Sequence, residues 1–305
     1  MDYTIAGIAA VCAGFFTNPL EVLKVRMQLQ GELKKKGEHP VYYKNILHAG
    51  YVVAKNDGIL ALQKGLVSAL WVQLIMNGLR LGTYQLISSK GYTRDKDGNI
   101  VFYKSVILGG VCGMLGQLCA NPLYLIKTQI QAQAAKNIAV GYQHQHSGTW
   151  MALKTIYQRH GIQGLYRGIG AVIPRAFVAS TSQLTTFTYA KEELTKYNIL
   201  ENSPYSKSFL ASMISGIVFS GMVSPFDLVL IRLYNQGVDA QGRGLLYKNY
   251  IDCVVKIYQT EGVLGFYKGL GTIYVRLGPH TVLCLMFWDL FKDIHQRYML
   301  KATIN

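Results

Sequence analysis

Three arginines stand inside long apolar segments of the chain: Arg80, Arg175 and Arg276. A charge among apolar neighbours is costly, so each is expected to face a watery cavity and to work there. A guanidinium stays ionised and grips a carboxylate through two parallel hydrogen bonds. The chemistry on offer is therefore capture of carboxylates or sulfate-like oxyanions. Helix capping or lipid snorkelling is the competing reading for each arginine. Other charged residues follow three prolines, in NPLEVLKVRMQ from Asn18, NPLYLIKTQIQ from Asn121 and SPFDLVLIRLY from Ser224.

The elements that must position these residues come in three copies. Pro19, Pro122 and Pro225 are spaced by 103 residues and again by 103. The stretches DGILALQKG, HGIQGLYRG and EGVLGFYKG end at Gly65, Gly168 and Gly269, spaced by 103 and 101. Two motifs in register over three copies define units 1–100, 101–200 and 201–305. In each unit an apolar helix runs just past the proline. A polar, basic loop, a short amphipathic stretch, a glycine and a second apolar helix follow. The long segments are predicted near 3–29, 66–90, 103–131, 168–195, 206–234 and 269–296. Each exceeds the roughly 20 residues needed to cross a bilayer. A soluble helical repeat with buried ion pairs is the alternative. Small residues four apart occupy one register of the odd helices: Ala6 and Ala10, Gly109 and Gly113, Ser212 and Gly216. They predict close helix approach. The prolines are expected to kink the odd helices by removing a backbone hydrogen bond, so that the helices converge at one end.

Composition agrees with a membrane protein. Half of the residues are hydrophobic, yet Lys and Arg outnumber Asp and Glu by 31 to 16. That balance suits acidic lipid or anionic cargo. Nucleic acid is not expected, because the basic residues are dispersed and form no continuous stripe. The five cysteines form no CxxC pair and no metal-ligand spacing, and read as free thiols. No P-loop, no GxSxG elbow and no cofactor motif occurs, so neither an enzyme nor a cofactor is expected. The opening MDYTIAGIAA has an early Asp and no Arg-rich stretch, which argues against a cleaved transit peptide.

Proline, acid two later, base five later, then acidic-Gly…aromatic-basic-Gly, three times over, resembles the mitochondrial carrier family. The resemblance covers essentially the whole chain. It implies an all-α membrane protein: six transmembrane helices in three pseudo-threefold repeats, with short helices on the matrix side. It also implies a multi-pass location in the mitochondrial inner membrane, termini on the intermembrane-space side, and a monomer that moves a small solute by alternating access. The stretches TNPLEVLKVRMQLQGEL and SPFDLVLIRLYNQG are most similar to the oxaloacetate carrier subgroup, including solute carrier family 25 members 34 and 35.

The resemblance also implies two gates. At the matrix gate Glu21 would meet Lys127, Asp227 would meet Lys24, and Tyr124 would meet Leu230 without charge. Gln28, Gln131 and Tyr234 would brace these pairs by hydrogen bonds. A static bundle in which these charges only satisfy one another is the alternative. The cytoplasmic gate would involve Gln85, Thr188, Lys191, Asp289 and Lys292. Asp289 would face Ser88, so this gate is expected to be weak and the resting protein open on that side.

Aligning the even helices puts Val72, Arg175 and Arg276 at one level, Met76, Ala179 and His280 one turn on, and Arg80, Gln183 and Cys284 two turns on. In the family these levels line the central cavity. A dicarboxylate bridging Arg175 and Arg276, with Arg80 or Gln183 above, is the expected guest. His280 either couples transport to a proton or lines the cavity. Gly65, Gly168, Gly269 and Gly148 resemble the family's cardiolipin sites, since helix N-termini offer N–H groups to phosphate; tight turns explain the first three equally. Missing motif residues in repeat two, among them Gln129 and His160, leave two rivals: a carrier-shaped adaptor that does not transport, and a fatty-acid-mediated proton leak.

Overall fold

The computed structural model describes residues 2–34, 42–90, 92, 102–197 and 204–304. Six long helices are α1 (Asp2–Leu29), α3 (Leu66–Ser89), α4 (Phe102–Ala132), α6 (Ile169–Lys196), α7 (Pro204–Asn235) and α9 (Leu270–Ile304). Three short helices, α2 (Ile46–Asp57), α5 (Thr149–Leu165) and α8 (Tyr250–Glu261), lie between the long helices of each pair. The helices start and stop within two residues of their predicted bounds, except that α9 continues to Ile304. By length and composition, four described segments could cross a membrane: Gly7–Leu29, Ile59–Ser88, Ser206–Asn235 and Val263–Ile294. Helix α6 has the length but is more polar, reading ASTSQLTTFT over 179–188.

Each long helix packs on its partner within the repeat and on a long helix of the neighbouring repeat, α3 on α4, α6 on α7 and α9 on α1. The result is a closed ring of six. The first long helices of the three repeats, α1, α4 and α7, also touch one another, whereas α3, α6 and α9 make no extensive contact among the described residues. The ring is thus drawn shut at the end that carries the short helices. The main apolar cluster sits there and includes Tyr124, Leu228, Leu230 and Tyr234.

Local sequence explains the chain's course. Asn45 and Asn249 cap α2 and α8, their side chains accepting the N–H of His48 at 2.8 Å and of Asp252 at 2.9 Å. Gly148 begins α5 without a side-chain cap. Pro19, Pro122 and Pro225 lie inside continuous helices, where each lacks one backbone donor. The residue before each proline ties its helix to the turn before the next long helix. Asn18 donates to Gln63 at 3.1 Å, Asn121 to the Leu165 carbonyl at 3.0 Å, and Ser224 to the Phe266 carbonyl at 3.3 Å.

Close helix approach is uneven along the small-residue register. A Cβ at Gly216 would lie 2.9 Å from Leu277, and one at Gly113 would lie 3.2 Å from Ser180. Gly109 faces nothing within 4 Å, so the expectation fails there. Among the described glycines within the long helices the closest approach is at Gly116, off that register, where a Cβ would come within 2.7 Å of the Met76 carbonyl.

Candidate functional site

The proline-following charges meet at the closed end. Glu21 of α1 pairs with Lys127 of α4. Lys24 of α1 pairs with Asp227 of α7 at 2.8 Å. Tyr124 and Leu230 share the apolar cluster at the third position. All six side chains are buried. Burying ions is costly unless they are paired and hydrogen-bonded, and the pairing meets that need.

The arginines of α6 and α9 join these pairs. Arg175 of α6 donates from Nε to Asp227 at 2.7 Å, and Arg276 of α9 donates from Nη1 to Glu21 at 2.5 Å. Each carboxylate therefore holds two cations, and each cluster keeps one surplus positive charge. The arginines are the accessible members. Their side chains are 16 % and 22 % exposed, against 2 % for Asp227 and 9 % for Glu21. By the repeat period the third cluster is Tyr124, Leu230 and Val72, which carries no formal charge. The Tyr124 ring nevertheless lies under both neighbouring cations, 5.0 Å from Lys127 Nζ and 5.7 Å from Arg175 Cζ.

Arg80 is the other cation of this region. It forms no hydrogen bond or ion pair among the described residues. Its Cδ lies 3.7 Å from a Cβ built on Gly113, so that glycine leaves room for its stem. His280 is held from both ring nitrogens, by Thr17 at 3.1 Å and Cys284 at 3.6 Å. The Gln183 side chain is exposed, and its backbone carbonyl accepts from Ser215 at 3.0 Å.

Two of the three expected braces act elsewhere. Gln28 donates to Asp227 at 3.2 Å and so supports the Lys24 pair. Gln131 instead donates to Asn18 at 3.1 Å, and Tyr234 donates to Asn121 at 2.5 Å. The cause is the residue before the proline. Asn18 and Asn121 each present an amide oxygen, whereas Ser224 has only a hydroxyl and is engaged with Phe266.

The glycines expected as lipid sites have a structural task. Gly65, Gly168 and Gly269 have φ of 72°, 78° and 81°, the left-handed region that disfavours a side chain. A Cβ on each would also come within 2.9 Å of Gln131, Tyr234 and Gln28 respectively. Each glycine thus seats one repeat against the next. Gly148 faces nothing within 4 Å.

At the opposite end the described residues bear on only part of the expected gate. Lys191 forms no ion pair among the described residues, and Lys292 lies 5.1 Å over the Trp288 ring. The side chains of Gln85 and Asp289 lie outside the described residues.

Sequence reading missed several participants. Gln117 accepts from Arg175 Nη1 at 3.4 Å. A second layer of charge lies toward the short helices. There Arg26 pairs with Asp57 at 2.8 Å, and Arg232 pairs with Glu261 at 2.5 Å. Burial opposes ionisation of Glu261, but bonds from Arg232 and Lys268 hold its carboxyl below the usual range. The 103-residue period that relates Arg26, Gln129 and Arg232 was the available signal.

A family model described as "Mitochondrial carrier protein" matches residues 1–94, 98–198 and 201–299. The chain belongs to the mitochondrial carrier family. It is 45 % identical to human "Solute carrier family 25 member 35", over 97 % of this chain and 98 % of that one. It is 38 % identical to the "Mitochondrial oxaloacetate transport protein" of Saccharomyces cerevisiae, over 94 % and 87 %. Identity to the "Mitochondrial citrate transporter E" of Aspergillus niger is 34 %, over 97 % and 93 %. As a family member the chain is a transporter of a mitochondrial membrane, acting on a small solute.

Proposed function

We propose that this carrier moves small dicarboxylates such as oxaloacetate, malate or malonate, or sulfate-like dianions, across the mitochondrial inner membrane by alternating access. On this reading the short-helix end faces the matrix, and the described state is closed there. The observation that carries the proposal is the sharing of Asp227 and Glu21 between gate lysines and cavity arginines. Two clusters, each with one surplus positive charge, suit a guest with two negative charges. Buried Arg276 Nε has no acceptor among the described residues, which suits an incoming carboxylate oxygen. The names of the yeast and Aspergillus relatives also belong to carriers of carboxylates.

The mechanism follows from competition. A dicarboxylate entering from the open side meets Arg175 and Arg276 first, because they are the exposed members of their clusters. Bonds from a guanidinium to the guest replace its bond to the gate carboxylate. Asp227 and Glu21 then keep one lysine each, and the closed end loosens. Binding energy is thereby spent on the change of state, as differential affinity requires. His280, fixed by Thr17 and Cys284, lines the path as a polar wall.

The test is uptake of labelled oxaloacetate, malate, malonate, sulfate and ATP into liposomes holding the purified protein. Saturable uptake of the small dianions is expected, with a loss of roughly 10- to 100-fold in Arg175→Ala and in Arg276→Ala, from one or two charge-assisted hydrogen bonds each. Folded protein that takes up none of these solutes overturns the reading.

A further inference from the structure

The second layer of charge is built twice, and its third copy lacks an acid. In repeat one Asp57 accepts from Arg26 at 2.8 Å and from the Ala135 N–H at 2.7 Å. In repeat three Glu261 accepts from Arg232 at 2.5 Å and 2.9 Å, from Lys268 at 2.6 Å and from the Leu33 N–H at 2.9 Å. The repeat period carries Arg26 onto Gln129, Asp57 onto His160, Lys64 onto Arg167 and Ala135 onto Val238.

Repeat two keeps donors that such an acid would satisfy. Arg167 donates from Nη2 to the Tyr234 carbonyl at 3.2 Å, but its Nε–H is buried without an acceptor among the described residues. Burial pushes this guanidinium down to about 10, a sign that its charge lacks a counter-ion. The Val238 N–H makes no hydrogen bond among the described residues. Arg167, Val238, Gln129 and His160 border one cavity of about 460 Å³, with Arg159 on its rim. The one acid on its wall, Asp239, accepts from the Arg243 N–H at 2.7 Å and pairs with neither arginine. Among the described residues no cluster here could hold a metal ion.

We infer that this cavity is a binding site for a phosphate-type oxyanion, which takes the position that a carboxylate side chain holds in repeats one and three. Two guanidiniums and a backbone N–H suit a tetrahedral oxyanion with several acceptor oxygens. The site lies on the short-helix side, apart from the central arginines. Binding there ties α4, α5 and the loop after α7 together, and so favours the closed end. Free phosphate and a lipid headgroup offer the same chemistry.

The experiment is thermal unfolding of the full chain in detergent, with phosphate or chloride at equal ionic strength, and in nanodiscs with or without cardiolipin. Phosphate is expected to raise Tm by about 2 to 4 °C. Arg159→Gln, at an exposed position, and Arg167→Gln are expected to lose that rise. His160→Glu is expected to raise Tm without phosphate and to abolish the response, because it supplies the acid. Arg175→Ala is expected to keep the response, which separates this site from the central cavity and leaves it standing if the transport reading fails. A response to cardiolipin alone that disappears in Arg167→Gln assigns the oxyanion to a lipid headgroup. No response to either source, or one unchanged in both Arg159→Gln and His160→Glu, overturns the site.

Discussion

The two charged clusters and the apolar seam occupy equivalent places in a threefold ring, yet they are built from opposite chemistry. Lys24, Asp227 and Arg175, like Lys127, Glu21 and Arg276, bury ions that must be paired. Tyr124, Leu230 and Val72 bury apolar surface and need no pairing. Apolar packing is the cheaper way to hold a bundle shut, since a buried ion pair is often no more stable than hydrophobic residues of similar volume. The contrast teaches that the ionic clusters suit switching, and the seam suits holding. A cluster can trade one partner for a guest; packed side chains have nothing to trade.

The largest effect should come from orphaning the cations. Asp227→Asn leaves Lys24 and Arg175 buried without their counter-charge, and should cost about 3–5 kcal/mol. Denaturant unfolding in detergent checks this; a cost no greater than that of a surface substitution would show that water already screens the cluster. A smaller effect is expected when the seam is rewritten as an ion pair. Tyr124→Glu with Leu230→Lys should destabilise by about 1–4 kcal/mol, less than Leu230→Lys alone. Stabilisation by the double substitution would erase the distinction between switching and holding.

The smallest effect lies outside both, in the loop beneath them. His144 donates from Nε2 to the Asn235 carbonyl at 2.9 Å, and burial holds its pKa down to about 4 from the ordinary 6.5. The unfolded chain then binds the extra proton first. Stability is full above about pH 6.5 and falls as the pH drops toward 4. A series of Tm values across that window should slope in the wild type and flatten in His144→Asn; parallel slopes would assign the loss to other groups.

Much of this arrangement was legible in the residues. Prolines in a 103-residue register located the helices, because repeats impose geometry on sequence distance, and the resemblance to the carrier family supplied the partners Glu21 with Lys127 and Lys24 with Asp227. What could not be read was how far a side chain reaches. Arg175 and Arg276 are placed by register at the cavity, but their length carries the guanidinium down to the gate carboxylates. The partners of Gln131 and Tyr234 were hidden for a similar reason. They depend on Asn18 and Asn121 being one atom group longer than Ser224, a detail that the motif does not encode. Close packing at Gly116 was also invisible, since it lies off the register shared by the three repeats.

The three glycines that begin α3, α6 and α9 have one more consequence. Gly65 leans on Gln131, Gly168 on Tyr234 and Gly269 on Gln28, so the contacts run from each repeat to the next and return to the start. Such a circuit has no first member. Helices α1 and α9, which hold the two ends of the chain, pack side by side. A circular permutant that joins end to beginning and opens between repeats one and two would keep every one of these contacts. It should fold to the same ring; failure to do so would mean that the order of synthesis, and not the circuit alone, directs assembly.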